Sequence, residues 1–217
     1  MAEHTAPGIA RKHMVESQVR PNHVRDPRVI AAMRALPRED FAPPGAIAYA
    51  DADLPLGEGR FLLAPMLAAQ LAQLVLERDP SRVLVVAAGS GYVAAVLAAS
   101  GADVTALEAD ARLDTGALAT HAPEVTRVSG PLHAGWPANA PYDAILIEGA
   151  VPAIPELFQG QLAPEGRLIT ILAGANSAGL GRMVVAQPSG GAFSLVRTQD
   201  CSARLLPAFS PAPAFTF

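Results

Sequence analysis

The spacing of apolar positions along the chain predicts helices first and then an alternation of strands and helices. Val29, Ile30, Met33 and Leu36 recur on one helical face. Asp26-Pro27 ahead of them supplies an N-cap acceptor and a proline at the first helical position, and Pro37 stops the run. Leu67, Leu71, Leu74 and Val75 form a second helical face that starts at Pro65. Between these helices, residues 38–64 carry Pro43-Pro44 and Pro55 and read as loop with short extended pieces. From residue 83 onward the apolar runs shorten to strand length: Val83–Ala87, Val104–Leu107, Val125–Val128, Tyr142–Ile147 and Arg167–Leu172. Helical stretches separate them at Tyr92–Ala99, around 110–120 with a glycine interruption, and at Ile154–Leu162. Pro164-Glu165-Gly166 is a turn into the last of these strands. Met183–Gln187 and Phe193–Thr198 read as a final antiparallel pair joined through Pro188-Ser189-Gly190-Gly191. Residues 1–13 read as a flexible tail, and Pro207–Phe217 as a segment lying over the surface. Such alternation implies a single α/β domain over 1–217, with a mostly parallel sheet, helices on both faces and ligands at the carboxyl ends of the strands.

Composition narrows the picture. The chain has 217 residues, 51% of them hydrophobic, enough for a sizeable core and far from a disordered composition. A formal net charge of −4 argues against a nucleic-acid partner, because a phosphate backbone selects a basic excess. Lys12 is the only lysine. The single cysteine, Cys201, allows no disulfide within the chain and no cysteine-built zinc site, and it reads as packed. His4, His13, His23, His121 and His133 lack metal-ligand spacing, so no metal is expected. The longest uncharged run, Val83 to Ala102, is nominally long enough to span a bilayer, but Gly89-Ser90-Gly91 breaks it midway. Strand, turn and helix explain it better than a membrane span. The first residues contain no apolar signal core, so a cytoplasmic location is expected.

The candidate chemistry lies in that turn. The strand ending at Ala87 runs into Ala88-Gly89-Ser90-Gly91-Tyr92, where glycines permit a tight bend and a close ligand approach, and a helix N-terminus offers free N–H groups. Glu108, seventeen residues after Gly91, falls at the end of the next strand, where a carboxylate can accept ribose hydroxyls. Gly89, Gly91 and Ala94 fit a dinucleotide pattern, and the same layout serves S-adenosylmethionine. A tight turn without a ligand, with Glu108 as a solvated loop carboxylate, fits the turn equally.

Longer segments decide among these readings. MVESQVRPNHVRDPRVIAAMRALPREDFAP (14–43), YADADLPLGEG (49–59), VLVVAAGSGYVAAVLA (83–98), GWPANAPYDAILIEGAVPAIP (135–155) and LAPEGRLITILAG (162–174) resemble, in order and spacing, the protein-L-isoaspartate O-methyltransferase family. The resemblance covers roughly residues 14–210. It implies the Rossmann-like class I S-adenosylmethionine methyltransferase fold. It also implies S-adenosylmethionine as cofactor, bound through Gly89, Ser90, Gly91 and Glu108, and a protein or peptide substrate whose isoaspartyl carboxylate is methylated for repair. Neither a nucleic acid nor a membrane is an expected partner.

The departures from the family pattern fall on the chemistry. Where the family carries a Thr-Ile-Ser-Gln-Pro-like segment, this chain reads Phe61-Leu62-Leu63-Ala64-Pro65, and neither Phe61 nor Leu63 can hydrogen-bond a carboxylate. The family's acid within the first strand is Val85, and its first glycine is Ala87. The adenine-contacting Asp of its Gly-Asp-Gly is replaced in Gly130-Pro131-Leu132, with no acid between Val125 and Tyr142. Glu148 stands where small or hydroxyl residues are usual, and reads either as a solvent-facing loop glutamate or as a residue of a changed site. Trp136 reads as a packed loop anchor. Three functions fit: an active isoaspartyl methyltransferase; a non-catalytic binding or regulatory member; or a methyltransferase for a more apolar substrate, its pocket lined by Phe61 and Leu63. Isoaspartyl activity is expected to be impaired or absent.

Overall fold

The computed structural model describes residues 5–174 and 179–210. Seven strands form one sheet in the order β5-β4-β3-β6-β7-β8-β9: β3 (Arg82–Val86), β4 (Asp103–Glu108), β5 (Thr126–Ser129), β6 (Tyr142–Val151), β7 (Leu162–Leu172), β8 (Leu180–Ser189) and β9 (Ala192–Ser202). β3 to β7 pair in parallel, and β8 and β9 add an antiparallel pair at one edge, as the apolar pattern implies. The chain steps outward from β3 through β4 to β5, then returns to lay β6 against the other side of β3. The topological switch therefore lies between β3 and β6.

Every residue from Val83 to Val86 is buried, so β3 is covered on both faces. Alternate residues feed two clusters. Val83, Val85, Val104, Ala106, Leu146 and Ile169 face a core shared with α2 (Pro27–Ala35), α4 (Pro65–Leu76) and α5 (Tyr92–Ala99). Leu84, Val86, Leu107, Ile145, Ile147 and Leu168 face the other side. Among the described residues, that second face lacks the α-helices the strand–helix alternation predicts. It is covered by 3₁₀ turns at Leu132–Ala134 and Glu156–Gln161 and by Leu206. Prolines at 131, 137, 141, 152, 155 and 164 explain this, since each removes an amide donor and fixes its backbone.

Residues 1–4 of the expected amino-terminal tail lie outside the described residues, and most of the rest of it is helix. Ala6–Met14 forms α1, capped by Thr5 and continued by a π-helical turn at Val15–Val19, with Arg11 and Met14 buried. Arg11 donates to the carbonyl of Ala35 at 2.7 Å, which ties this helix to the end of α2. Most other sequence-derived elements stand close to their expected bounds, α5 to the residue, but Pro164-Glu165-Gly166 is an irregularity inside β7 instead of a turn ahead of it, and the helix expected around 110–120 is a 3₁₀ turn at Ala111–Leu113 and a short helix at Ala117–His121. Within 38–64 the chain makes the short α3 (Arg38–Phe41) and a hairpin of β1 (Leu54–Gly57) and β2 (Arg60–Leu62). Of the terminal surface segment, Pro207–Phe209 forms a 3₁₀ turn, and residues 211–217 lie outside the described residues. No helix among the described residues is long and apolar enough to cross a membrane.

Candidate active site

The sheet brings three chain ends together. Val86 pairs with Leu107 on one side and with Ile147 on the other, so the residues just beyond them converge: the glycine turn, Glu108 and Glu148. The turn is built on left-handed backbone at Ala87 (φ +63°), Gly89 (φ +58°) and Gly91 (φ +90°). Glycine adopts such angles freely. Ala87 carries a Cβ into them at a cost of about 1–2 kcal/mol. The turn extends the sheet through the Ala88 amide, which donates to the Leu107 carbonyl at 3.1 Å.

Glu108 is not the solvated loop carboxylate that the sequence allowed. It is 3% exposed, and both of its oxygens are engaged. Oε2 accepts the Gly89 amide at 2.7 Å. Oε1 accepts the Ala109 amide at 2.8 Å, the Asp110 amide at 3.2 Å and the Arg60 guanidinium at 2.8 Å. Arg60 reaches in from the first residue of β2, buried, and also donates to the Ala87 carbonyl at 2.5 Å. Ser90 is buried with no partner for its hydroxyl.

Glu148 is likewise not a solvent-facing glutamate. Its residue is 5% exposed and its Oε2 has no hydrogen-bond partner. Burial pushes its carboxyl well above the ordinary carboxylate range; Glu108 pushes in the same direction, while Arg60 and Arg38 pull against it. Arg38, from the start of α3, is completely buried. It donates to the carbonyls of Ala48 and Leu63, both at 2.7 Å, and lies 4.9 Å over the Tyr92 ring. Burial lowers its pKa and pushes the Tyr92 phenol up to about 12. Arg38 is thus the structural anchor of the segment that carries Leu63. Arg60 opens an apolar run, Phe61-Leu62-Leu63, whereas Arg38 sits directly before Glu39-Asp40, so nothing local marks its burial.

Leu63 is buried, and Phe61 is half-buried with the Arg204 guanidinium 4.9 Å over its ring. Trp136 is a packed anchor as expected: its ring lies against Gly130, its amide donates to Gln161 Oε1 at 2.8 Å, and its carbonyl accepts from the Tyr142 hydroxyl at 2.7 Å. Cys201 is half-buried, and burial raises its thiol pKa, so it is no ready nucleophile. No group of three potential metal ligands occurs among the described residues.

Known proteins place this geometry in a family. The family described as Protein-L-isoaspartate(D-aspartate) O-methyltransferase matches residues 9–184. The protein-L-isoaspartate O-methyltransferase of Methylorubrum extorquens (strain PA1) is 45% identical over 165 residues, covering 74% of this chain and 72% of the relative. That of Methanoregula boonei is 40% identical over 172 residues, covering 76% and 78%. Among solved structures, a protein described as a beta-aspartate methyltransferase from Plasmodium falciparum, in complex with S-adenosyl-L-homocysteine, superposes with a TM-score of 0.71 over 92% of this chain and 95% of its own. At 16% identity, that likeness speaks to the fold alone. With its sheet order, its glycine turn and this extent of sequence identity, the chain belongs to the protein-L-isoaspartate O-methyltransferase family.

Proposed function

We propose that this protein keeps the adenosyl-binding frame of its family but has impaired or absent isoaspartyl methyl transfer. The observation that carries the reading is the Phe61-Leu62-Leu63 segment, which puts apolar side chains where the family carries its hydroxyls. A bound carboxylate there would lose two hydrogen bonds to a charged group, each worth about 1.5–3 kcal/mol. Glu148, buried within β6 one residue past the Ile147 that pairs with Val86, adds a second carboxyl that must stay protonated or repel the substrate's own.

The frame itself fits S-adenosylmethionine in part. Gly89, Ser90 and Gly91 would hold it at the turn and Glu108 would take its ribose, the cofactor supplying the methyl group. The adenine side offers no acid between Val125 and Tyr142. The substrate would be a protein or peptide, as in the family, with the domain acting as one unit. A non-catalytic binding role is the second reading, favoured by the simultaneous loss of hydroxyls and of the adenine acid.

The deciding experiment is methyl transfer from labelled S-adenosylmethionine to an isoaspartyl peptide, beside a family relative that carries the threonine and serine. Turnover at least about 100-fold lower is expected, in line with two lost charge-assisted hydrogen bonds. Turnover within tenfold of the relative would overturn the reading. Restoring Phe61→Thr and Leu63→Ser together is expected to leave activity undetectable, since the adenine side is altered as well; measurable turnover by the double variant would refute that.

A further inference from the structure

We propose that Arg60 is a built-in occupant of the nucleoside end of this site, so that an adenosyl ligand engages both oxygens of Glu108 only by displacing the Arg60 guanidinium and the β1–β2 hairpin behind it. The proposal rests on reading the glycine turn as an adenosyl site, and it identifies the group that controls access to it.

The first argument is the valence of Glu108. A ribose diol presents two O–H donors. Oε1 already holds three donors, and only Oε2, with the Gly89 amide alone, has room. Arg60 contributes the one donor on Oε1 that is not local backbone, so it is the one a ligand can replace.

Space gives the second argument. Glycine at a nucleotide-binding turn leaves room for a ligand to approach the backbone. Here a Cβ built on Gly89 would meet Leu56 Cδ1 at 3.1 Å and Arg60 Nη2 at 4.0 Å. Both atoms belong to the β1–β2 hairpin, which therefore lies over the face a ligand would use.

Third, the hairpin is held down by the chain's far end. A Cβ on Gly59, at its tip, would lie 2.7 Å from Pro207 Cγ, and Arg204 stacks on Phe61. The same segment is fastened to β6: the Ala150 amide donates to the Arg204 carbonyl at 3.2 Å, and the Leu206 amide to the Ala150 carbonyl at 2.8 Å. Residues 204–207 act as a strap across the hairpin and the end of β6.

The occupancy is nevertheless incomplete. Arg60 Nε, Ser90 Oγ and Glu148 Oε2 are all buried without hydrogen-bond partners. A residue that filled this place only to stabilise the fold would be expected to leave fewer such groups unpaired. A ligand bringing hydroxyls could satisfy the groups that Arg60 does not.

The test is calorimetric titration of S-adenosylhomocysteine into the unmodified protein and into Arg60→Ala. Affinity at least tenfold tighter in the variant is the expected result. Equal or weaker affinity in the variant, with clear binding by the unmodified protein, overturns the proposal while leaving the adenosyl site in place. Absence of binding by both at millimolar ligand overturns the proposal and the adenosyl reading together. Should Arg60→Ala fail to fold, hydrogen exchange of the unmodified protein with millimolar S-adenosylhomocysteine decides. Faster exchange at residues 54–62 is expected, and unchanged or slower exchange overturns the proposal.

Discussion

The two ends of the sheet are made by the same strands and handle charge in opposite ways. At the amino end, Asp143 Oδ2 accepts the amides of Ser81 and Arg82, both at 2.9 Å, at exposed positions. Arg167, buried where β7 enters the sheet, meets Glu77 at 3.1 Å and the Leu74 carbonyl at 3.2 Å, and Glu77 is open to solvent. At the carboxyl end, Arg38, Arg60, Glu108 and Glu148 are buried together, and three of the four keep an atom without a partner. Folding alone needs only the first arrangement. Charges that are buried and only partly satisfied mark the end where local rules are broken, which is where function resides in open α/β sheets.

Glu108→Ala breaks this contrast most severely. It leaves Arg60 buried without its carboxylate and removes the acceptor of three backbone amides, so we expect about 3–5 kcal/mol of lost stability in denaturant unfolding. A loss below about 1 kcal/mol would mean the pair is not integral to the fold.

Next in size is Glu148→Gln. The native state holds the Glu148 proton more tightly than the unfolded chain does, because burial raises its pKa. Stability attributable to this group is therefore full below the ordinary value of 4.5 and is lost as pH rises through the range above it. The glutamine variant should gain about 1–3 kcal/mol at pH 8 and little at pH 4. An equal change at both pH values would assign the effect to shape instead of charge.

Asp143→Ala probes the other end. Losing two amide contacts at an exposed site should cost about 1–2 kcal/mol and leave S-adenosylhomocysteine affinity unchanged; a change in affinity would erase the functional distinction between the two ends. The smallest effect belongs to Ala87→Gly, which relieves left-handed strain but makes the unfolded chain freer. A net gain of about 0.5–1 kcal/mol in thermal unfolding is expected. A net loss would place the strain elsewhere in the turn.

The fold was legible because its signals are local. Asp26-Pro27 caps α2, Pro65 opens α4, and Tyr92–Ala99 forms a helix with the bounds its apolar run suggests. The tail was misread because α1 has no strong apolar stripe. It is held by Arg11 reaching Ala35 and Tyr49, contacts 24 and 38 residues away. The candidate site was half legible. Spacing sets Gly89 and Gly91 at the end of one strand and Glu108 at the end of the next, and these ends meet through the Gly89 amide and Glu108 Oε2; it does not give the identity of Glu108's partner Arg60.

By itself, then, the sequence determined the order of strands and helices, the glycine turn, the family and the apolar run Phe61-Leu62-Leu63, since each is written in residues close together in the chain. Only the tertiary structure decided that Glu108 is already paired, that Glu148 is buried, and that the β1–β2 hairpin covers the turn. Those facts depend on residues 48 apart for Arg60 and Glu108, and about 148 apart for Gly59 and Pro207. No periodicity records such distances. They arise because the strand order β4-β3-β6 sets three carboxyl ends side by side and leaves one space for the hairpin to fill.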